Sequence, residues 1–304
     1  MAIDTLRVAV FDGGWNLPLW AGIDQGFFAS HGVPIELRYV GGSAELVERL
    51  LRDEVQVAIA GIDNLVAYQE GHARIPGTRP DLVAFLGGDR GFLSLVAGPG
   101  IRSYDELRGH TLSVDALSTG FAFVLRELLA THGILPGEVE IVPAGGTSQR
   151  HAALLAGRHA ATLLRTPYEL LAQEAGCRIL PGAHWLDDYM GSAAFCQRAW
   201  AATSGETLRA FTRAYRASLD WLTRPDAGPR AAALLRRHAP GLDPTLSERA
   251  LDVLLAPATG LIRDLRPSMT GIATVLALRN RHAGQAAALS DPARYVDLSY
   301  LPPA

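Results

Sequence analysis

The sequence predicts an α/β protein built as two lobes around a ligand cleft, with a block of C-terminal helices. Three features of its 304 residues carry this expectation. Apolar β-prone runs alternate with helical stretches from Leu6 to about Leu180, the pattern of βαβ units. Gly-rich turns mark the strand-to-helix junctions, at the carboxyl ends of strands where open α/β sheets bind ligands. From Thr203 onward the apolar period becomes purely helical.

The opening stretch sets the pattern. Leu6 to Phe11 is a continuous apolar run that suits a strand covered on both faces, and Asp12-Gly13-Gly14 ends it as a turn. Pro18 sits where a first helical turn tolerates it, and Leu19, Trp20, Ile23, Phe27 and Phe28 form an apolar stripe that stops near His31-Gly32. Pro34 to Val40 is the second strand. Gly41-Gly42-Ser43 leads into the helix AELVERLLRDE with Ser43 as the expected N-cap. Val55 to Ala60 is the third strand, and Gly61-Ile62-Asp63-Asn64 opens the next helix. Trp15/Asn16, Ser43 and Asp63/Asn64 are thereby offered to one cleft.

A Gly/Pro/Arg-rich loop from Gly71 to Pro80 precedes the strand Leu82 to Leu86. Gly87 to Gly91, which includes Asp89, then reads either as a crossing between lobes or as a hairpin turn before Phe92 to Ala97. In the second lobe HTLSVDAL (110–117) is a strand followed by Ser118-Thr119-Gly120 and a helix from Phe121 to His132. Glu138 to Val142 is a strand followed by Ala144-Gly145-Gly146-Thr147 and a helix from Ser148 to Ala156. His159 to Leu164 is a strand ending in Arg165-Thr166-Pro167, and Cys177 to Leu180 is a short strand. Residues 185–199, which contain Tyr189, are the expected return crossing.

Composition narrows the function. The chain is 48% hydrophobic and 19% charged with a net charge of -3, so nothing basic argues for nucleic acid, and no run is long and apolar enough for membrane insertion. Nine scattered histidines show no HxH or HExxH spacing for a metal. There is no GxSxG elbow, phosphate-binding GxxxxGK[ST] loop or GxGxxG after the first strand, so no cofactor and no catalytic residue is assigned. Cys177 and Cys196 are too far apart for a CxxC motif and read as two reduced structural thiols or one disulfide.

Helix amino-termini at the turns supply unpaired N–H groups that favour an anionic head group, and Arg165 would add a charged contact. Trp15 is a stacking wall or a core residue, and Asn16 is a polar contact. Asp63 and Asp89 cut against a purely anionic ligand, because a carboxylate facing the cleft would bind an amine, a ring N–H or a hydroxyl. Each of these turn residues also has a plain structural role in capping or loop solvation. The expected ligand-binding set is Trp15, Asn16, Ser43, Asp63, Asn64, Asp89, Ser118, Thr119, Gly120, Thr147, Arg165, Thr166 and Tyr189.

The sequence of strand, Gly turn, Pro-Leu-Trp, "AGIDQGFFASHGV", then a strand and "GGSAELVERLLRDEVQVAIAG" resembles the solute-binding proteins of nitrate, sulfonate and taurine ABC importers and their NMT1/THI5-like relatives. "DELRGHTLSV" (105–114) resembles the opening of that family's second lobe. The resemblance implies a type II periplasmic-binding-protein fold, with residues 1–88 and 196–304 in lobe one and 89–195 in lobe two. It also implies reversible capture of a small organic ligand, a sulfonate, carboxylate or pyrimidine-like heterocycle, by a monomer or weak dimer that serves an ABC permease.

Met1 to Arg7 lacks the features of an export signal, so the periplasm is expected if a leader has been removed and the cytoplasm otherwise. The competing class is a cytosolic enzyme or ligand sensor on the same scaffold, working on a cofactor precursor or an aromatic or sulfur compound. The thiamine-precursor enzymes of this superfamily depend on a Cys-rich iron-associated motif that this chain lacks. Related desulfinases use a cleft cysteine, and Cys196 is the one thiol near a crossing.

Overall fold

The structure is a computed structural model and describes residues 5–73, 75, 77–182, 186, 189–284 and 288–302. The first sheet contains β1 (Leu6–Val10), β2 (Ile35–Tyr39), β3 (Val57–Gly61), β4 (Leu82–Gly87) and a late strand, Ser192–Gln197, in the order β2-β1-β3-late strand-β4. The second contains β5 (Leu93–Ala97), β6 (Thr111–Val114), β7 (Glu140–Pro143), β8 (Ala161–Arg165) and β9 (Arg178–Ile179), in the order β7-β6-β8-β5-β9. The late strand is β10. In each five-stranded sheet four strands run one way and one runs against them, arriving from the opposite lobe: β10 in the first and β5 in the second.

Gly87 to Gly91 is therefore a crossing between sheets, not a hairpin. The return lies earlier than expected, because Ser192–Phe195 already pair with β3 and β4 in the first sheet, ahead of residue 196. Trp185, part of the expected return crossing, lies outside the described residues. The two crossings lie backbone against backbone, with Gly191 N–H donating to Asp89 O at 3.0 Å. A Cβ at Gly191 would stand 2.4 Å from Gly91 N, so only glycine fits there.

The period-two alternation of strands sorts residues between cores. Val8 and Val10 of β1, with Val57 and Ile59 of β3, face α1 (Leu17–Asp24), α2 (Phe27–Ser30) and the later helices. Ala9, Ala58 and Ala60 face α3 (Ser43–Leu51) and α4 (Ile62–Gln69). The single helix expected across Trp20 to Phe28 is broken between α1 and α2, where Gly26 takes φ +73°. In the second lobe, α5 (Gly120–Thr131) covers one sheet face, while α6 (Thr147–Leu155) and α7 (Tyr168–Glu174) cover the other. The strand expected at 110–117 ends at Val114.

The C-terminal block comprises α8 (Arg198–Thr203), α9 (Gly205–Leu222), α10 (Gly228–His238), α11 (Pro244–Leu255) and α12 (Met269–His282). Helices α9 and α10 pack on α1, whereas α12 packs on both α4 and α5, so its apolar face continues one core across the two lobes. Cys177 and Cys196 are both reduced and buried, and burial pushes the Cys196 thiol up to about 12, well away from thiolate chemistry.

Two buried charges generate predictions about stability. Arg279 of α12 donates from Nε to Asp63 Oδ1 at 2.9 Å and from Nη2 to Asp63 Oδ2, with both side chains buried. Arg279→Met strands the carboxylate and is expected to cost about 3–5 kcal/mol in urea unfolding, while the Asp63→Asn/Arg279→Met pair loses clearly less. Equal losses would show that charge pairing is not the source.

Glu169, in the first turn of α7, accepts from Thr166 Oγ1 at 2.7 Å and leaves Oε2 unpartnered. Burial pushes its carboxyl up to about 7, with Thr166 and Arg165 opposing. A carboxyl whose folded value is raised holds its proton longer in the fold than in the unfolded chain. Its contribution is thus full below about pH 4.5 and fades as pH rises through about 7. Glu169→Gln is expected to raise the melting temperature at pH 8 and leave it nearly unchanged at pH 5. An equal shift at both would contradict this.

Candidate functional site

The carboxyl ends of both sets of parallel strands point into one interlobe space. A cavity lies there, lined by Phe11, Trp15, Ala60, Gly61, Asp63, Asn64, Asp115, Gly120, Phe121, Gly146, Thr147, Arg150, Arg165 and Tyr189. Helices α4, α5 and α6 start at its wall, so their first-turn N–H groups and positive dipole ends border it. The lobes also touch at a rim: Gly14 N–H donates to Thr166 O at 3.0 Å, and Tyr168 Oη donates to Asp12 Oδ2 at 2.5 Å.

Of the residues expected from sequence, Trp15, Asp63, Asn64, Gly120, Thr147, Arg165 and Tyr189 line this cavity. Trp15 is a wall residue whose ring lies 4.1 Å from the Arg165 guanidinium carbon. The Phe92 ring also lies close to that guanidinium, 4.5 Å from its carbon. Arg165 Nε donates to Gly91 O at 3.1 Å, and Nη2 lies 2.6 Å from Asp89 Oδ1 as an ion pair without hydrogen-bond alignment. Arg165 therefore reaches the cavity with its charge already matched.

The remaining six do not line the cavity, and each has a local reason. Asp89 is fully buried and accepts from Gly91 N–H at 2.8 Å and from Ser192 Oγ, so it holds the crossings together. Asn16 is also buried and donates to Phe11 O at 2.7 Å. Gly42, not Ser43, occupies the N-cap of α3, and Ser43 Oγ is 3.2 Å from Tyr68 Oη. Ser118 is exposed on a separate lateral cavity beside His72 and Arg126, with its carbonyl accepting from Arg279 at 3.2 Å. Thr119 Oγ1 donates to Asp115 Oδ2 at 2.8 Å, and Thr166 Oγ1 is turned to Glu169.

Sequence reasoning missed Phe11, Asp115, Phe121 and Arg150. Phe121 is the second residue of α5 and Phe11 and Asp115 follow the last residues of β1 and β6, positions where the topology alone flags a side chain. Arg150 lies a full turn inside α6, where no turn signal points to it. It is buried, donates from Nη1 to Gly145 O at 3.2 Å and from Nη2 to Thr147 Oγ1 at 3.3 Å, and lies 3.9 Å from Asp115 Oδ1. Burial raises the Asp115 carboxyl, with Arg150 opposing, and lowers the Arg150 guanidinium, with Asp115 opposing. The Asn64 side chain and the Tyr189 hydroxyl have no hydrogen-bond partner among the described residues.

Among the described residues no histidine or cysteine lines the cavity, and no three His, Cys, Asp or Glu side chains converge to hold a metal. The site offers aromatic walls, helix amino-termini and a few convergent polar groups. That is equipment for binding and orientation.

The sequence profile of the NMT1/THI5-like family matches residues 16–227. A search among curated protein sequences gives no match. Among solved structures the fold is similar to that of a Bordetella bronchiseptica RB50 protein, with TM-score 0.80 and 19% identity over 98% of this chain and 96% of that one. It is also similar to the alkanesulfonate-binding protein SsuA from Xanthomonas axonopodis pv. citri bound to MOPS, with TM-score 0.76 and 18% identity over 97% and 99% of the two chains. The periplasmic nitrate-binding protein NrtA from Synechocystis PCC 6803 follows with TM-score 0.68 and 12% identity over 77% and 66%. These likenesses establish the type II periplasmic-binding-protein fold. With the profile covering well over half of its length, the chain belongs to the NMT1/THI5-like family.

Proposed function

We infer that this protein is a solute receptor that captures a small organic ligand, a sulfonate, carboxylate or pyrimidine-like heterocycle, between its lobes by hinge closure. The observation that carries the reading is the cavity itself, walled by Phe11, Trp15 and Phe121 and furnished with unpartnered polar groups at the ends of two sheets. A similar fold binds an alkanesulfonate in the Xanthomonas protein, and the Synechocystis protein binds nitrate in the periplasm. By that analogy the receptor would work in the periplasm and hand its ligand to an ABC permease.

The competing reading is an enzyme that reuses the cleft. An acid-base pair of Asp63 or Asp89 with a histidine would support it, yet each of these aspartates is held by a buried arginine. His72 meets Arg279, with Nδ1 3.3 Å from Arg279 Nη1, and not the Asp63 carboxylate that Arg279 holds. This arrangement favours binding.

A thermal-shift screen of sulfonates, carboxylates and heterocycles tests the reading. A true ligand at about a hundred times its dissociation constant is expected to add roughly 2.7 kcal/mol of stability and to be recovered unchanged. Asn64→Ala, which removes one unpartnered polar group from the wall, is expected to weaken that ligand about tenfold while leaving the unliganded melting temperature nearly unchanged. A compound consumed during incubation would overturn the receptor reading in favour of the enzyme.

A further inference from the structure

Three carboxylates and three guanidiniums stand in or beside the cleft, and their charges cancel in pairs. Asp63 is matched by Arg279 and Asp89 by Arg165, each through a close buried contact. The third pair is left open. Arg150 and Asp115 approach only to 3.9 Å, and Arg150 Nε and Asp115 Oδ1 are both buried with no hydrogen-bond partner. The other Asp115 oxygen accepts from Thr119, and the other Arg150 nitrogens are spent on Gly145 O and Thr147 Oγ1. A buried donor and a buried acceptor left unmade on residues of one cavity wall are unfavourable until something supplies the complementary groups.

We propose that the cleft selects an uncharged planar heterocycle with a cyclic amide edge, whose C=O accepts from Arg150 and whose neighbouring N–H donates to Asp115. The proposal rests on the receptor reading above and narrows its ligand class. The remaining furniture agrees. Asn64 and Tyr189, the other unpartnered polar groups on the wall, are neutral and able to donate and accept, and Phe11, Trp15 and Phe121 present aromatic surface to a flat ring. The helix amino-termini serve a carbonyl oxygen as well as an anionic one, so they do not separate the classes. The charges do. An anion would find Arg165 and Arg279 already paired, would meet Arg150 only beside the Asp115 carboxylate, and would be held well only after Asp115 took up a proton. The charged or titratable groups that feel Asp115 are Arg150 from α6, Tyr68 from α4 and Tyr189 from the return crossing.

Calorimetry with 2-pyridone, N-methyl-2-pyridone and methanesulfonate, on the unmodified protein and on Asp115→Asn, tests this. The unmodified protein is expected to bind 2-pyridone at pH 7.5, to bind the N-methyl compound at least tenfold more weakly, and to bind methanesulfonate better at pH 5.5 than at pH 7.5. Asp115→Asn is near-isosteric and keeps an oxygen for Thr119. It is expected to weaken 2-pyridone at least tenfold and strengthen methanesulfonate at least tenfold at pH 7.5. The arms on the unmodified protein stand even if the variant folds poorly. Methanesulfonate binding the unmodified protein more tightly than 2-pyridone at pH 7.5 would overturn the amide-edge proposal and leave the receptor reading intact. Binding of none of the three also overturns it, and the broader thermal-shift screen then decides the receptor reading on its own.

Discussion

Arg165 leaves the end of β8 with its guanidinium almost fully buried, and an unmatched charge there would be prohibitively costly. The surrounding chain is arranged to match it. Asp89 on the outgoing crossing supplies the counter-charge, Gly91 a carbonyl, and Trp15 and Phe92 two aromatic rings close by. Phe92 holds φ at +28°, a conformation that bulky residues rarely adopt and that surrounding contacts must enforce. Asp89 in turn takes Ser192 and Gly91 as donors, which draws the return crossing against the outgoing one and leaves room only for glycine at 191. One arginine thereby joins a first-lobe turn, a second-lobe strand and both crossings.

This arrangement changes what the cleft can recognise. A guanidinium at the mouth of an α/β cleft invites the reading that it grips an anion, yet Arg165 has no charge to spare, and Arg279 is equally committed to Asp63. Selectivity passes to the groups that the fold leaves incompletely bonded. Desolvation makes those groups expensive when unpaired and therefore discriminating when paired. The helix amino-termini contribute a general preference for oxygen, while the unmatched atoms decide which oxygen-bearing molecule fits.

The strand-to-helix turns and part of the cleft wall were legible in the sequence wherever local chemistry and topology agree. Trp15, Asp63, Asn64, Gly120 and Thr147 lie in the turns and helix starts that follow strand ends, so the carboxyl-edge rule locates them without knowledge of packing. Ser43, Thr119 and Thr166 obey the same rule but turn to nearby partners, because a short hydroxyl is satisfied by whichever acceptor or donor is closest, and that depends on neighbours far away in sequence. Arg150 and Arg279 were invisible for the opposite reason. Each sits within a helix whose pattern reads as ordinary, and only the assembled lobes reveal which carboxylate it meets. The return to the first sheet at Ser192 was likewise obscured by a run of small residues, Gly191 to Ala194, that reads equally well as a loop.

The same distinction between local and assembled contacts bears on how the lobes separate. The rim carries the Gly14 to Thr166 hydrogen bond, worth about 1 kcal/mol, the Tyr168 to Asp12 bond to a carboxylate, worth roughly 1.5–3 kcal/mol, an exposed Arg249–Glu174 ion pair, and Leu170 of α7 packed against the first-lobe core. On the opposite side, α12 shares an apolar core with α4 and α5 and is tied to Asp63 by a buried ion pair, while the Asp89 cluster locks the crossings to each other. Breaking that side would open a larger shared apolar core and strand a buried charge, at a larger cost. Lobes that part at the rim would pivot about the crossings and α12, with the cavity of Arg150, Asp115 and Asn64 lying between the two sides.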